Sequence, residues 1–290
     1  MDSVRRRLRN IIAEDGLVQI AGAYDALSGR IAAAAGMKVL HAGGYNLSAA
    51  HLGLPDVGYL TLMENANLVR GIAAAIDTPV IADADDGYGN HLNARRTMIE
   101  LERAGAAGLH IEDQQMPKRC GHMQGKRIIS KNAMVQKLKA VLDARVDDDF
   151  LVIARTDALQ VNGFEDALDR AHTYRETGAD IIFLEAVRDD EQAARVPREI
   201  DGPCLYNWVR GGVSPEYSFD QVAQLGYKLL LYSDTLGCVA TTLRDVYRQL
   251  ATKGGYGDTV GQVMPFDEFN TLIGLEQAAA LDDKYQTPAQ

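Results

Sequence analysis

The sequence predicts an α/β fold, a (β/α)8 TIM-type barrel, and three observations carry that prediction. Eight short β-branched or apolar runs recur along the chain, at residues 18–21, 38–41, 79–83, 108–113, 150–156, 180–185, 204–207 and 228–232. Between them lie Ala- and Arg-rich stretches with helical periodicity, such as 92–104, 131–144 and 165–177. Polar and charged residues gather at the C-terminal ends of the runs, where a barrel places its chemistry.

Each element follows from local chemistry. Strands that alternate with helices need crossover connections and so pair in parallel, and eight such units close naturally into a barrel. Two of the helical stretches end at glycine, in Ala104-Gly105 and Thr177-Gly178, the residue that best adopts the left-handed cap. A doubly wound open sheet is the competing architecture, but no glycine-rich fingerprint opens a helix after the first strand. Beyond the last strand, residues 241–290 contain at least two helices, one of them expected over 266–281. No low-complexity or Pro/Ser-rich linker divides the 290 residues, so one domain is expected, 1–290, with a C-terminal helical extension from about 240.

Composition narrows the function classes. Hydrophobic residues make up 47% and charged residues 24%, enough for a real core. The formal net charge of −10 disfavours nucleic acid and anionic membranes as partners. No apolar run approaches the roughly 20 residues of a membrane span, and the N-terminus lacks a signal-peptide core. Three widely spaced cysteines make no disulfide framework, so the expected setting is reduced and cytoplasmic.

The strand ends carry the candidate site. Asp83 and Asp85, two apart and therefore expected on one face, combine with Glu112 into an oxygen-rich site suited to Mg²⁺. An Asp-x-Asp alone serves more often as a cap or turn, but three carboxylates converging from adjacent strands favour a metal. Asp86 is either a supporting partner or the turn residue before Gly87. Arg155 and Glu185 end neighbouring strands, where the arginine can grip a substrate carboxylate, pair with Glu185, or do both. Cys120 is flanked by Lys118, Arg119 and His122, a setting expected to lower its thiol pKa, and Gly121 permits close backbone approach. Cys120 therefore reads as reactive, unlike Cys204 and Cys238 in apolar runs.

Lys118-Arg119-Cys120-Gly121-His122 resembles the K-[KR]-C-G-H signature of the isocitrate lyase and phosphoenolpyruvate mutase superfamily. The resemblance runs from about Ala23 to the C-terminus through residues 23–28, 52–56, 82–85, 110–114 and 153–158. Within the superfamily the chain is similar to the branch of short 2-methylisocitrate lyases, 2,3-dimethylmalate lyases and petal death-type proteins. The resemblance implies that Asp83 binds Mg²⁺ (Mn²⁺ as substitute), with Asp56, Asp85 and Glu112 ordering its waters. It implies a mobile loop bearing Cys120, substrate contacts from Gly121 and His122, and a pocket lined by Arg155, Glu185 and Asn207. It also implies a homotetramer that swaps a C-terminal helix.

The activity so implied is a carbon–carbon lyase acting on a small carboxylate, with Cys120 protonating the carbanion; Glu112 and Glu185 are candidate bases. Several residues depart from the family pattern. Strand two ends in Ala42-Gly43-Gly44-Tyr45, where a Ser or Thr normally precedes the substrate-binding glycine. Cys238 stands where methylisocitrate lyases resemble one another in having an arginine for a third carboxylate, and the loop after strand seven gains Trp208 and Arg210. Ser233, beside an unusual Asp234, matches the oxaloacetate-hydrolysing members. Together these favour an alkylmalate- or oxaloacetate-like dicarboxylate over 2-methylisocitrate. The alternatives are a carboxyphosphonoenolpyruvate-type phosphorylmutase, and a non-catalytic barrel that binds small acids.

Overall fold

The computed structural model describes residues 3–286 as two compact units, one ending at Thr235 and one beginning at Leu236. The first unit opens with helix α1 (Val4–Ala13) and then alternates strands and helices. Strand β1 (Val18–Gly22) leads through α2 (Ala26–Ala34) to β2 (Val39–Ala42), and α3 (Gly44–Leu52) and α4 (Leu62–Ala75) lead to β3 (Val80–Asp83). Next come α5 (His91–Arg103), β4 (Gly108–Glu112), α6 (Lys131–Ala144) and β5 (Leu151–Thr156). The unit continues with α7 (Ala158–Asn162), α8 (Phe164–Thr177), β6 (Ile181–Leu184), α9 (Asp190–Glu199), β7 (Leu205–Trp208), α10 (Phe219–Leu225) and β8 (Leu229–Tyr232). Every strand lies within one residue of its predicted bounds.

All strand pairs are parallel, in the order β6-β5-β4-β3-β2-β1-β8-β7. A parallel bridge between Ile182 and Cys204, with Ile182 N–H donating to Pro203 O at 3.0 Å, joins the last two edges and closes the barrel. Helix entry is set by side-chain caps: Asp25, Thr61, Asn90 and Ser218 each complete a capping box. Gly178 ends α8 with φ 116°, as its position in the sequence predicts.

Strand period sorts the side chains into two cores. Ile20, Val39, Ile81, Ile153, Phe183, Leu205 and Leu231 point inward and fill the barrel, with Leu8 of α1 packed among them. Arg5 and Arg9 tie α1 to the strand N-termini: Arg5 donates to Ala106 O at 3.2 Å, and Arg9 pairs with Asp180 at 3.2 Å. The N-terminal helix thus plugs the bottom of the barrel. The alternating residues, such as Leu40, Ala82, Leu109 and Val152, face the surrounding helices.

Asp113 shows what a fully satisfied outward-facing acid does in this layer. Its carboxylate accepts from Thr156 Oγ1 at 2.8 Å, Asp157 N at 2.9 Å, Arg170 Nη1 at 3.2 Å and Tyr174 OH at 2.9 Å. It therefore locks β4, β5 and α8 together, which positions the ends of two strands that carry site residues.

The second unit takes in most of α11 (Thr235–Lys253), a short 3-10 helix at Gly257–Gln262, α12 (Phe266–Leu272) and α13 (Leu275–Tyr285). The single helix expected over 266–281 is two, because Gly274 adopts φ 87° and breaks it. This unit leaves large apolar side chains exposed, among them Phe266, Leu275, Leu281 and Tyr285. Among the described residues no helix is long and apolar enough to cross a membrane.

Candidate active site

Continuing each inward-facing strand position by two residues builds the site. Val39 leads to His41, Ile81 to Asp83, Ile153 to Arg155, Phe183 to Glu185, Leu205 to Asn207 and Leu231 to Ser233. The polar layer therefore rests directly on the apolar interior of the barrel, at the C-terminal ends of its strands. A cavity of about 250 Å³ opens above it. Gly43, Gly44, Tyr45, Asp56, Cys120 and Ser233 are among its lining residues.

Asp83 is held by backbone donors: Gly44 N–H reaches its Oδ2 at 2.9 Å and Asp85 N–H its Oδ1 at 2.9 Å. The first of these needs the backbone at residue 44 to come close. A Cβ there would lie 3.1–3.2 Å from the Asp56 carboxylate, Lys118 Nζ and the Asp83 carboxylate.

Asp85 departs from the sequence expectation. Strand β3 ends at Asp83, and Asp85 takes a left-handed conformation with φ 46°, so the two acids do not share a strand face. Its carboxylate turns to Lys118, whose Nζ lies 2.6 Å from Asp85 Oδ1 and 2.5 Å from Asp56 Oδ1. Burial pushes Asp85 up to about 7 in spite of that ammonium. Asp86 is a turn residue: its carboxylate accepts from Tyr88 N at 2.9 Å, and Lys137 Nζ donates to its carbonyl at 2.6 Å.

Glu112 lies 3.3 Å from Arg155 Nε through one oxygen, while its Oε1 is buried without a hydrogen-bond donor. Burial pushes its carboxyl well above the usual range. An orphan carboxylate oxygen beside a backbone-oriented aspartate suits a hydrated divalent cation, because Mg²⁺ keeps several waters and few protein ligands. A second donor set adjoins it. His41 and His110 meet Nε2 to Nε2 at 2.8 Å, with His110 Nε2 3.5 Å from Asp83 Oδ1. Ligand atoms of His41, Asp83 and His110 all lie within 4.8 Å of one another. Burial lowers both imidazoles, His41 to about 3, so both stay neutral. The ring that donates in the Nε2–Nε2 hydrogen bond keeps a lone pair at Nδ1, and the other spends its lone pair accepting. Imidazole nitrogens are ligands for a transition metal rather than for Mg²⁺, which prefers oxygen.

Arg155 is more committed than its sequence position suggests. Its Nε and Nη2 donate to Asp157 at 2.9 and 3.2 Å, and the guanidinium stacks on Phe183 at 5.0 Å. The two-pronged grip expected for a substrate carboxylate is thus taken by Asp157, which also accepts from Lys126 Nζ at 2.8 Å.

The Cys120 loop is anchored on both sides. His122 accepts from Val213 N at its Nδ1 (2.9 Å), which leaves Nε2 to donate to Glu185 Oε1 at 3.0 Å. Asn207 Nδ2 lies 3.3 Å from the same Glu185 oxygen, and Ser233 Oγ donates to Asn207 Oδ1 at 3.1 Å. Gly121 packs so closely that a Cβ would meet the Glu185 carboxylate at 2.5 Å. Lys126 Nζ also donates to Gly121 O.

The low thiol pKa expected from neighbouring cations is not found. Burial pushes Cys120 up to about 11, because Lys118 turns to Asp56 and Asp85, and Arg119 to the Gln124 carbonyl. The group facing the cavity is a protonated thiol, which suits a proton donor better than a nucleophile.

His41, His110, Asp157 and Lys126 were not singled out from the sequence. The period-two continuation of β2 from Val39 was the available signal for His41. Trp208 is the last residue of β7 and not part of the loop after it, and it packs against Tyr232 of β8 at 5.6 Å.

Comparison with known proteins agrees with this geometry. The phosphoenolpyruvate phosphomutase family model matches residues 8–251. The chain is 40% identical to 2,3-dimethylmalate lyase of Eubacterium barkeri, over 97% of this chain and 98% of that one. It is 39% identical to the chloroplastic carboxyvinyl-carboxyphosphonate phosphorylmutase of Arabidopsis thaliana, over 97% and 85% respectively. Among solved structures, oxaloacetate acetylhydrolase in complex with 3,3-difluorooxalacetate superposes with a TM-score of 0.93 at 33% identity, covering 99% of each chain.

Proposed function

The chain belongs to the phosphoenolpyruvate mutase and isocitrate lyase superfamily, and on that premise we propose that it is a carbon–carbon lyase acting on a 2-hydroxy or 2-oxo dicarboxylate. The observation that carries this reading is the protonated Cys120 thiol lining the same small cavity as Asp83. A lyase that releases a carbanion needs a fixed acid of this kind, next to a site that can hold the 2-oxo acid end of the substrate.

Asp83 would hold Mg²⁺, or Mn²⁺ in its place, with Asp56, Asp85 and Glu112 orienting its waters. When bound, the ion supplies Lewis-acid stabilisation to the oxygen at substrate C2. A base removes the C2 hydroxyl proton as the C2–O bond becomes a carbonyl and the C2–C3 pair moves to C3. Glu112 and Glu185 are the candidate bases, and Arg155, through the nitrogen that Asp157 does not take, and Asn207 would orient the substrate. The Cys120 S–H then delivers its proton to C3, giving a 2-oxo acid and a carboxylic acid. Hydration of a 2-oxo substrate such as oxaloacetate supplies the same C2 hydroxyl, with oxalate and acetate as products. His122, fixed by Val213 and Glu185, and Gly121 set the position of the thiol.

We also infer a cytoplasmic homotetramer; the exposed Phe266, Leu275, Leu281 and Tyr285 support an assembly that covers them. The testing experiment is a Mg²⁺-supplemented assay of 2-oxo-acid release from methylisocitrate, isocitrate, 2,3-dimethylmalate and citramalate, with oxalate release followed for oxaloacetate. Turnover of a dicarboxylate above both tricarboxylates is expected. Preference for methylisocitrate would contradict the substrate class, and activity confined to a phosphonate substrate would favour the phosphorylmutase reading instead.

A further inference from the structure

The charges around the cavity do not balance evenly, and the imbalance points to one residue. Lys118 is clasped by Asp56 and Asp85. Arg155 is held by Asp157 and Glu112, and Lys126 by Asp157. Arg210, on the loop after β7, lines the same cavity. Among the described residues no carboxylate lies within 4.0 Å of its guanidinium, and its one hydrogen bond is from its backbone N–H to Asp234 Oδ2 at 3.3 Å.

The loop that carries Arg210 is fixed beside the chemistry. Gly211 N–H donates to Glu216 at 2.8 Å and Val213 N–H to His122 Nδ1 at 2.9 Å. Three acids, Asp56, Asp83 and Asp234, line the cavity as well. A substrate with two carboxylates would meet net repulsion there unless a cation without a protein partner faced it. A divalent ion at Asp83 answers for one end of such a substrate. Arg155 lines the cavity too, but Asp157 takes its Nε and Nη2, which leaves Arg210, among the described residues, as the cation on this wall with no carboxylate partner.

We propose that Arg210 is the specificity-determining cation of this site, taking the distal carboxylate of a dicarboxylic acid. The proposal rests on the lyase reading for its substrate class and goes further in naming the residue that selects it. An arginine–carboxylate contact is charge-assisted and geometrically selective, and Arg210 is exposed where it lines the cavity, open to an incoming acid. It would favour acids with a second carboxylate over analogues of equal length that lack one.

The test is calorimetric binding to the Mg²⁺-loaded protein, with no turnover required. Three probes are compared: oxalate, malate, and 2-hydroxybutyrate, which replaces malate's distal carboxylate by a methyl group. In the wild type, malate should bind at least about 10-fold more tightly than 2-hydroxybutyrate. Arg210→Gln should remove that preference and leave oxalate binding within about 2-fold, and Arg210→Lys should restore part of it. Malate preference that survives in Arg210→Gln overturns the assignment of Arg210 while leaving the dicarboxylate reading intact. A wild type that binds oxalate but does not prefer malate overturns both.

Discussion

Replacing Cys120 by serine is expected to lower kcat by about 10²–10⁴-fold, the range for losing a positioned general acid. A serine hydroxyl occupies nearly the same volume but is a far weaker acid, so binding of oxalate should be preserved while turnover is lost. Steady-state kinetics with calorimetric binding separate the two effects. Unchanged turnover would remove Cys120 as the proton donor. The thiol's own titration gives a second readout: burial pushes it up to about 11, against about 8.5 for an ordinary cysteine. A group with a raised pKa stays protonated below it, so the acid form should persist through neutral and mildly alkaline pH. Alkylation of Cys120, followed by mass spectrometry of its peptide, should rise with a midpoint near the higher of these two values.

Asp83→Asn should weaken divalent-metal affinity by at least about 100-fold, since loss of even an outer-shell partner costs 10–100-fold. The substitution keeps an oxygen to accept from Gly44 N–H but removes the charge. Mn²⁺ binding followed by electron paramagnetic resonance reads this directly, and turnover should fall in parallel. By contrast Asp86→Asn should leave metal affinity nearly unchanged, because that carboxylate serves the turn at Tyr88. Equal metal binding by Asp83→Asn and wild type would move the metal away from Asp83.

The barrel was legible because its signals are local and repeated. Strand runs, helical periodicity and glycine caps each specify a backbone state over a few residues, and eight repetitions leave little room for another topology. Candidate site residues on strands were legible for the same reason: Asp83, Glu112, Arg155 and Asn207 follow from period two at a strand's end. What sequence could not supply was direction after the strand stops. Asp85 looked like a second residue on the face of Asp83, yet the chain turns left-handed there and delivers its carboxylate to Lys118.

The cysteine loop failed in the same way and more instructively. Cations adjacent to Cys120 in sequence reach other partners in space, so the expected lowering of its pKa gives way to desolvation. The fork of Arg155 was similarly absorbed by Asp157, two residues along its own chain. Pairings between strands, such as His41 with His110, depend on register and barrel tilt and left no motif to read.

The most direct measurement is cleavage of 2,3-dimethylmalate in deuterium oxide, with the propionate analysed for deuterium content and configuration at the former C3. Delivery from one fixed thiol predicts a single deuterium in a single configuration. Propionate without deuterium would rule out a carbanion protonated by an exchangeable acid, and a racemic product would mean that free water, not Cys120, supplies the proton.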